Sequence, residues 1–172
     1  MVKKLFRSGA WHYSKFSIID LDKGAFNGDL ALLKAALFRT LHNTNEKFHG
    51  KFKPTSLWSG NGYHIYQLVQ LSGPSWCLAH TDIFHDLCPM GDVDRRFIQW
   101  AEQYLSEGKA DPAHSKGVSF KMMIRIPGSI NSKNGQRVKV LQRWDAQRPY
   151  INWILRDFRD YLIDKKAKPL NQ

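Results

Sequence analysis

The sequence predicts a two-layer α/β domain of the α+β type, in which helices flank a mixed or antiparallel sheet. Two observations lead to this class. Short β-branched runs alternate with longer segments whose apolar residues recur at helical spacing. The strands near the end follow one another through a turn, as antiparallel neighbours do, which disfavours a doubly wound parallel sheet. A chain of 172 residues can bury one core without disulfides or metals, so residues 1–172 are interpreted as a single domain.

Four segments are predicted to be strands because they are rich in β-branched and aromatic residues. The first ends in two acids, and the third is ended by Pro127 and Gly128. The predicted strands are 14–22, 63–71, 118–126 and 137–144.

Three segments have the apolar spacing of substantial helices. Leucines recur through the first, and Asn27 or Asp29 can cap its start. The second ends at Gly108, and the third is opened by Pro149, a residue favoured at the first helical position. The predicted helices are 30–43, 93–108 and 149–163, the last following a motif-bearing core at about 14–144, and a shorter helix is predicted around Phe84.

The composition favours a polyanionic partner. Lys and Arg number 26 against 15 Asp and Glu, which gives a formal net charge of +11. Basic and aromatic residues alternate in 47–54 and 137–153, a mixture that can neutralise phosphates and stack on bases. No apolar run could span a bilayer, no secretory signal is recognisable, and Cys77 and Cys88 are the only cysteines. We therefore expect a cytoplasmic nucleic-acid-binding protein with no membrane contact.

Two acids stand at the end of the first predicted strand. The side chains of Asp20 and Asp22 share a face because strand positions i and i+2 point the same way. Adjacent carboxylates repel each other, and a hard cation such as Mg²⁺ or Mn²⁺ would relieve the repulsion while presenting substrate phosphates. The alternative is that the two acids simply end a strand in solvent.

A glycine loop precedes the second predicted strand. Gly60 and Gly62 can adopt left-handed conformations that let backbone amides approach an anion. Ser59 adds a hydroxyl, and His64 lies where it could bond a phosphate oxygen. The alternative is an ordinary glycine hairpin with a structural histidine.

A basic cluster follows the third predicted strand. Arg125 lies on that strand, and the loop after it contains Ser129, Asn131 and Lys133. Guanidinium makes bidentate phosphate contacts and lysine adds a point charge, so this cluster could hold a triphosphate. The alternative is a long hairpin turning at the Asn-Gly pair of 134–135, with a solvent-facing arginine.

Taken in order, IIDLD (18–22), SGNGYHIY (59–66) and RIPGSINSK (125–133) resemble the archaeo-eukaryotic primase superfamily, particularly the small primase-polymerases of archaea and their mobile elements. The resemblance covers about 14–144. In that family an acid-x-acid strand, a Ser-x-His-like element and a later hydrophobic-Asp element form the polymerase site. Asp20 and Asp22 match the first element, and Ser59 with His64 matches the second.

The third family element is where this sequence departs from the pattern. Asp111 stands in about the right position, while Asp92 and Asp94 compete with it, although Asp94 is also a typical acid at a helix N-terminus. The resemblance implies Mg²⁺ or Mn²⁺ held by Asp20, Asp22 and Asp111, in-line transfer to a 3′ hydroxyl, and release of pyrophosphate. It also implies a triphosphate held by Ser59, Gly60, His64, Arg125, Ser129, Asn131 and Lys133.

The same resemblance implies a single-stranded DNA template and nucleoside triphosphates as ligands, with a helicase or another primase subunit as a further partner. Members of the superfamily can carry zinc between the second and third elements. Cys77, His80, His85 and Cys88 lie in that interval, but the spacing also suits a short amphipathic helix, which we favour over a zinc site.

Two non-catalytic alternatives stay open. The stretches RIPGSINSK (125–133) and QRWDAQRPYINWILRDF (142–158) also resemble accessory subunits of archaeal primases, which would bind single-stranded DNA or nucleotides without metal chemistry. A replication-initiation protein that binds duplex DNA would need neither nucleotide nor metal.

Overall fold

The computed structural model describes residues 16–70, 84, 93–111 and 125–167. The described part is an α+β fold with a four-stranded antiparallel sheet and three α-helices, which confirms the predicted class. In chain order the elements are β1 (Phe16–Asp22), a 3-10 turn (Lys23–Phe26), α1 (Leu30–Lys47), β2 (Thr55–Trp58), β3 (Gly62–Leu68), α2 (Val93–Leu105), β4 (Lys139–Gln142) and α3 (Asn152–Ala167).

The strand order is β1-β3-β2-β4, and every strand pair is antiparallel. The β2–β3 hairpin therefore occupies the middle of the sheet, while β1 and β4 lie at its edges. The hairpin turns at residues 59–62, where the Ser59 amide donates to the Gly62 carbonyl at 2.9 Å. Gly60 has a φ of +88°, a left-handed conformation that favours glycine at this turn.

The helices pack on one face of the sheet. Asp29 caps α1 by accepting hydrogen bonds from the amides of Ala31 and Leu32 at 2.8 and 3.0 Å. Alternation along the strands then directs one set of apolar side chains toward the helices. This main core includes Ile19, Leu21, Leu33, Leu37, Ile65, Phe97, Leu105, Ile154 and Phe158.

A second, smaller core lies on the opposite face. It consists of Ile18, Leu57, Tyr66 and Val138, all buried. Since Val138 precedes β4, the segment leading into that strand covers part of the sheet face that the helices leave exposed. The two cores show that neither face of the sheet is simply solvated.

The predicted elements match with shifted boundaries. The first helix continues beyond 43 to Lys47, the second ends at Leu105, and the third begins at Asn152 and extends to Ala167. Asp29 caps α1, whereas Asn27 ends the 3-10 turn in a left-handed conformation with a φ of 51°.

The strands of the structure differ from the predicted ones in two places. β2 was not predicted, because its four residues follow Pro54 and directly precede the glycine loop. Most of the predicted strand 118–126 lies outside the described residues, and its last two residues are not in a strand. Among the helices that the structure describes, none has the length and apolar character needed to cross a bilayer.

Candidate functional site

Asp20 and His64 lie directly opposite each other on β1 and β3. The backbone of Asp20 points away from β3: its amide donates to Glu102 Oε1 at 3.0 Å, and its carbonyl accepts from the Asp111 amide at 2.9 Å. Asp20 and His64 therefore form a non-hydrogen-bonded pair, the type in which facing side chains come closest. His64 Nε2 lies 3.8 Å from Asp20 Oδ1, and the two side chains are only 10% and 16% exposed.

Tyr66 extends this pair along the same face of β3. Its ring stacks on the His64 ring with 6.3 Å between centroids, and its hydroxyl accepts a hydrogen bond from the Arg125 amide at 3.2 Å. Burial raises the pKa of the Tyr66 phenol, the hydrogen bond from Arg125 opposes the rise, and the nearby Asp20 charge adds to it. The sheet face thus carries a carboxylate, an imidazole and a neutral phenol side by side.

Asp22 has a different environment from Asp20. One carboxylate oxygen accepts from the Gly24 amide at 2.7 Å, and the other accepts from Asn61 Nδ2 at 2.6 Å. Asp22 therefore caps the 3-10 turn and ties the end of β1 to the glycine loop. Because an ionised carboxylate has about four lone-pair sites, these two bonds leave acceptor capacity for a cation.

The glycine loop is packed against the segment before β4. The Ser59 hydroxyl donates to the Gly62 carbonyl at 3.1 Å, and the Ser59 carbonyl accepts from Asn131 Nδ2 at 2.8 Å. Both Ser59 and Asn131 are buried. A side chain at Gly60 would collide with Gln136, so the loop has little room beyond its present packing.

The predicted basic cluster has mixed roles. The Ser129 hydroxyl donates to the Ile126 carbonyl at 2.6 Å, and Asn131 Oδ1 accepts from the Lys133 amide at 3.1 Å, so both side chains stabilise their own loop. Lys133 is exposed and Arg125 is half-buried. Arg125 and Lys133 are therefore the members of this cluster that could bind a phosphate directly through their side chains. Ser129 and Asn131 would first have to break the loop hydrogen bonds that they make.

Asp111 comes close to Asp20 through its backbone, although the two residues are far apart in sequence. The Asp111 amide donates to the Asp20 carbonyl at the outer edge of β1, next to the hydrogen bond that the Asp20 amide donates to Glu102. The structure therefore brings together Asp20, His64 and the Asp111 backbone, with Asp22 two residues along the same strand. Within residues 16–70, 84, 93–111 and 125–167, no three His, Cys, Asp or Glu side chains form a group that could hold a metal ion.

This donor set suits some metals better than others. Mg²⁺ is usually bound through one or two carboxylates plus substrate phosphates and water, so Asp20 and Asp22 fit its requirements. A structural zinc site would need four converging ligands. The proposed zinc ligands Cys77, His80, His85 and Cys88 and the competing acid Asp92 lie outside the described residues.

Sequence reasoning missed three residues of this site. Tyr66 could have been found, because it lies two positions from His64 and shares its strand face. Glu102 is an acid in line with the apolar Ile98 and Leu105 at helical spacing, a pattern that indicates a buried carboxylate with a partner. Asn61 gave no such signal, since loop asparagines are common at turns.

No family model, no curated protein and no solved structure matches this chain.

Proposed function

We propose that the chain is a template-dependent nucleotidyltransferase of the DNA primase or primase-polymerase type, acting on single-stranded DNA and nucleoside triphosphates with Mg²⁺ or Mn²⁺. The observation that carries the proposal is the meeting of separate sequence motifs at Asp20. His64 lies opposite it, and the Asp111 amide bonds its carbonyl. The facing of a carboxylate and an imidazole, with Asp22 two residues along the same strand, supplies groups that phosphoryl transfer can use for positioning and charge stabilisation.

Asp20 and Asp22 would hold the metal together with water and substrate phosphate. Asp111 would add a third carboxylate only after its side chain turned toward them, because the described residues form no group of three metal-ligating side chains. A bound divalent ion would neutralise phosphate charge and favour ionisation of the attacking 3′ hydroxyl. Asp22 can contribute through its remaining lone pairs while it keeps Asn61 and Gly24 in place.

His64 would bind the triphosphate beside these carboxylates. Its Nε2 lies 3.8 Å from Asp20 Oδ1, so a phosphate oxygen bound there lies within reach of the same acids. Arg125 and Lys133 would add positive charge to the phosphate tail, while Tyr66 supports the His64 ring by stacking. Ser59, Gly60, Ser129 and Asn131 would act by shaping the loops that present these groups.

A second candidate is a non-catalytic module that binds single-stranded DNA or nucleotides, such as a primase accessory subunit. The observation that favours it is the engagement of Ser59, Ser129 and Asn131 in backbone hydrogen bonds, which leaves fewer side chains for a triphosphate. Such a module would need neither metal nor a nucleophile.

Primer synthesis and extension on single-stranded DNA, with labelled nucleotides and Mg²⁺ or Mn²⁺, tests the proposal. Asp20→Asn keeps the size of the side chain and removes its charge, so metal-dependent product should be lost. Asp29→Asn is the matched control, because it makes the same change at a helix cap where asparagine is also accepted. Product that persists in an Asp20→Asn/Asp22→Asn protein contradicts catalysis at this site. Absence of product in the unaltered protein, with oligonucleotide binding intact, favours the accessory module.

A further inference from the structure

A large groove lies among the three helices, on the side of the sheet away from Asp20. Its volume is about 1090 Å³. Side chains of Ile19 and Leu21 belong to the helix-facing core, so Asp20 and His64 point to the other side. The groove is therefore separate from the site around Asp20 and His64.

Aromatic rings form one wall of this groove. Trp100 and Tyr104 of α2 stack with 4.5 Å between centroids and an interplanar angle of 17°. Tyr161 of α3 continues the row, with its ring centroid 5.9 Å from that of Trp100. All three residues are partly exposed and line the groove. Because Trp100 and Tyr104 cover each other on one side, a planar ligand can stack only on the outer sides of this row.

Cations stand beside these rings. Lys47 Nζ lies 4.7 Å from the Tyr104 ring centroid, and Lys165 Nζ lies 5.1 Å from that of Tyr161. Arg96 also lines the groove. A hydrogen bond with the Tyr104 hydroxyl raises the pKa of Lys47, so its ammonium group stays charged at neutral pH. The two lysines lie over ring faces, so a base that stacked on Tyr104 or Tyr161 would displace a flexible ammonium group.

The acids at the groove are already engaged by neighbouring groups. Glu107 accepts from Arg39 at 3.3 Å and from Asn43 at 3.0 Å, and these contacts lower its pKa. Asp157 accepts a hydrogen bond from the Tyr104 hydroxyl at 2.8 Å and so helps to fix that ring. Arg39 offsets the charge of Glu107, and the lining residues include three cations, Lys47, Arg96 and Lys165, so the groove suits an anion.

We propose that this groove binds single-stranded nucleic acid, with bases stacking on the outer sides of the Trp100–Tyr104 pair and on Tyr161. The phosphates would pair with Arg96 and with Lys47 and Lys165, whose ammonium groups would leave the rings to do so. Aromatic platforms flanked by basic side chains bind single strands of any sequence, because every base has a flat face. An acidic peptide would use the cations but would have no planar groups for the rings. The net charge of +11 also favours a polyanion.

Fluorescence anisotropy of a short labelled oligothymidylate, measured in chelator without nucleotides, tests this proposal independently of catalysis. Lys47→Glu/Lys165→Glu should weaken binding at least about tenfold, and should reduce the slope of log affinity against log salt by about 1.4, from about 0.7 for each lost phosphate contact. Tyr161→Leu should weaken binding by about fivefold or more, whereas Tyr161→Phe should bind as the unaltered protein does.

The control Lys34→Glu/Arg156→Glu makes the same charge change at exposed positions outside the groove, where each cation likewise lies beside an aromatic ring, and should have little effect. Thermal unfolding of each variant verifies that it is folded. An equal loss of affinity in the control would show that overall charge alone binds the strand, which overturns the proposal. So would equal binding by Tyr161→Leu and Tyr161→Phe, or tight binding of polyglutamate that depends on Tyr161, which would mark the groove as a site for acidic peptides.

Discussion

Gly62 is the residue at which the glycine loop passes closest to β1. A Cβ atom at this position would collide with the Leu21 carbonyl oxygen and lie 3.0 Å from the Asp22 Cα, and both are backbone atoms that cannot rotate away. We expect Gly62→Ala to lower the free energy of unfolding by about 1–3 kcal/mol, as overpacking does, measured by urea unfolding.

The control for that substitution is Gly24→Ala. Its added methyl group would meet only the Asp22 carboxylate, at 3.1 Å, and a side chain can shift by a few tenths of an ångström. Gly24→Ala should therefore cost less than Gly62→Ala. Equal losses in the two variants would contradict the close approach of β1 to the loop.

Three groups make the stability sensitive to alkaline pH in the same direction. Burial raises the pKa values of Tyr66 and Tyr104 above 10.0, and the Tyr104 hydroxyl raises that of Lys47 above 10.5. Because each folded pKa exceeds the unfolded one, the unfolded chain loses its protons first. The stability from these groups is complete below about pH 10 and is lost as the pH rises through the folded values.

We therefore expect the free energy of unfolding to fall as the pH rises above about pH 10, measured by urea unfolding at each pH. Tyr66→Phe removes one of the three ionisations, so this variant should lose less stability over the same interval. Parallel losses in the variant and the unaltered protein would show that Tyr66 does not contribute to the pH dependence.

Helix α2 supports β1 from outside the sheet. Glu102 is buried, and its Oε1 accepts from the Asp20 amide at 3.0 Å, where an edge strand would otherwise leave the amide without a strand partner. Glu102→Ala would remove this acceptor and leave a cavity. We expect a loss of about 1–3 kcal/mol in the free energy of unfolding, measured by urea unfolding.

Glu102→Gln is the informative companion variant. The glutamine side chain retains a carbonyl oxygen that can accept from the Asp20 amide, so most of the stability should return. If Glu102→Gln is as unstable as Glu102→Ala, the charge of Glu102 matters more than the hydrogen bond. Hydrogen exchange of the Asp20 amide distinguishes the two cases, because loss of the acceptor should speed its exchange.

Local signals predicted the helices better than the site. The leucine spacing of α1 and the apolar face of α2 depend on neighbours within two turns, so they can be recognised without the fold. The facing of Asp20 and His64 depends on the register between β1 and β3, a long-range property that no local pattern contains. The groove cannot be predicted from the sequence for a related reason. The spacing of Trp100 and Tyr104 places both on the apolar face of α2, and only the packing of α3 against α2 shows that their rings remain partly exposed.

The molecule as a whole separates two kinds of surface. The sheet face away from the helices carries Asp20, Asp22 and His64, which suit a metal-bound phosphate. The helix side carries the groove with Lys47, Trp100 and other rings and cations. If both proposals hold, a strand bound in the groove is kept near the protein while its end reaches the opposite face, so the chain would combine template retention with nucleotide transfer.

The net charge of +11 and the groove should respond differently to salt. Salt weakens the attraction between phosphates and surface charge, so the logarithm of the affinity falls linearly with the logarithm of the salt concentration. The slope has a magnitude of about 0.9 for each contact to duplex DNA and about 0.7 for each contact to single strands. Stacking of bases on Trp100, Tyr104 and Tyr161 is not a charge interaction, and it is denied to bases that are paired within a duplex. We therefore expect the affinity ratio of single-stranded to duplex oligonucleotides to increase as salt is raised, measured by anisotropy titrations of both. Because the two charge slopes differ, part of this increase needs no stacking, and the variant Tyr161→Leu isolates the rest. An increase of the same size in Tyr161→Leu would mean that surface charge rather than the aromatic groove selects the strand.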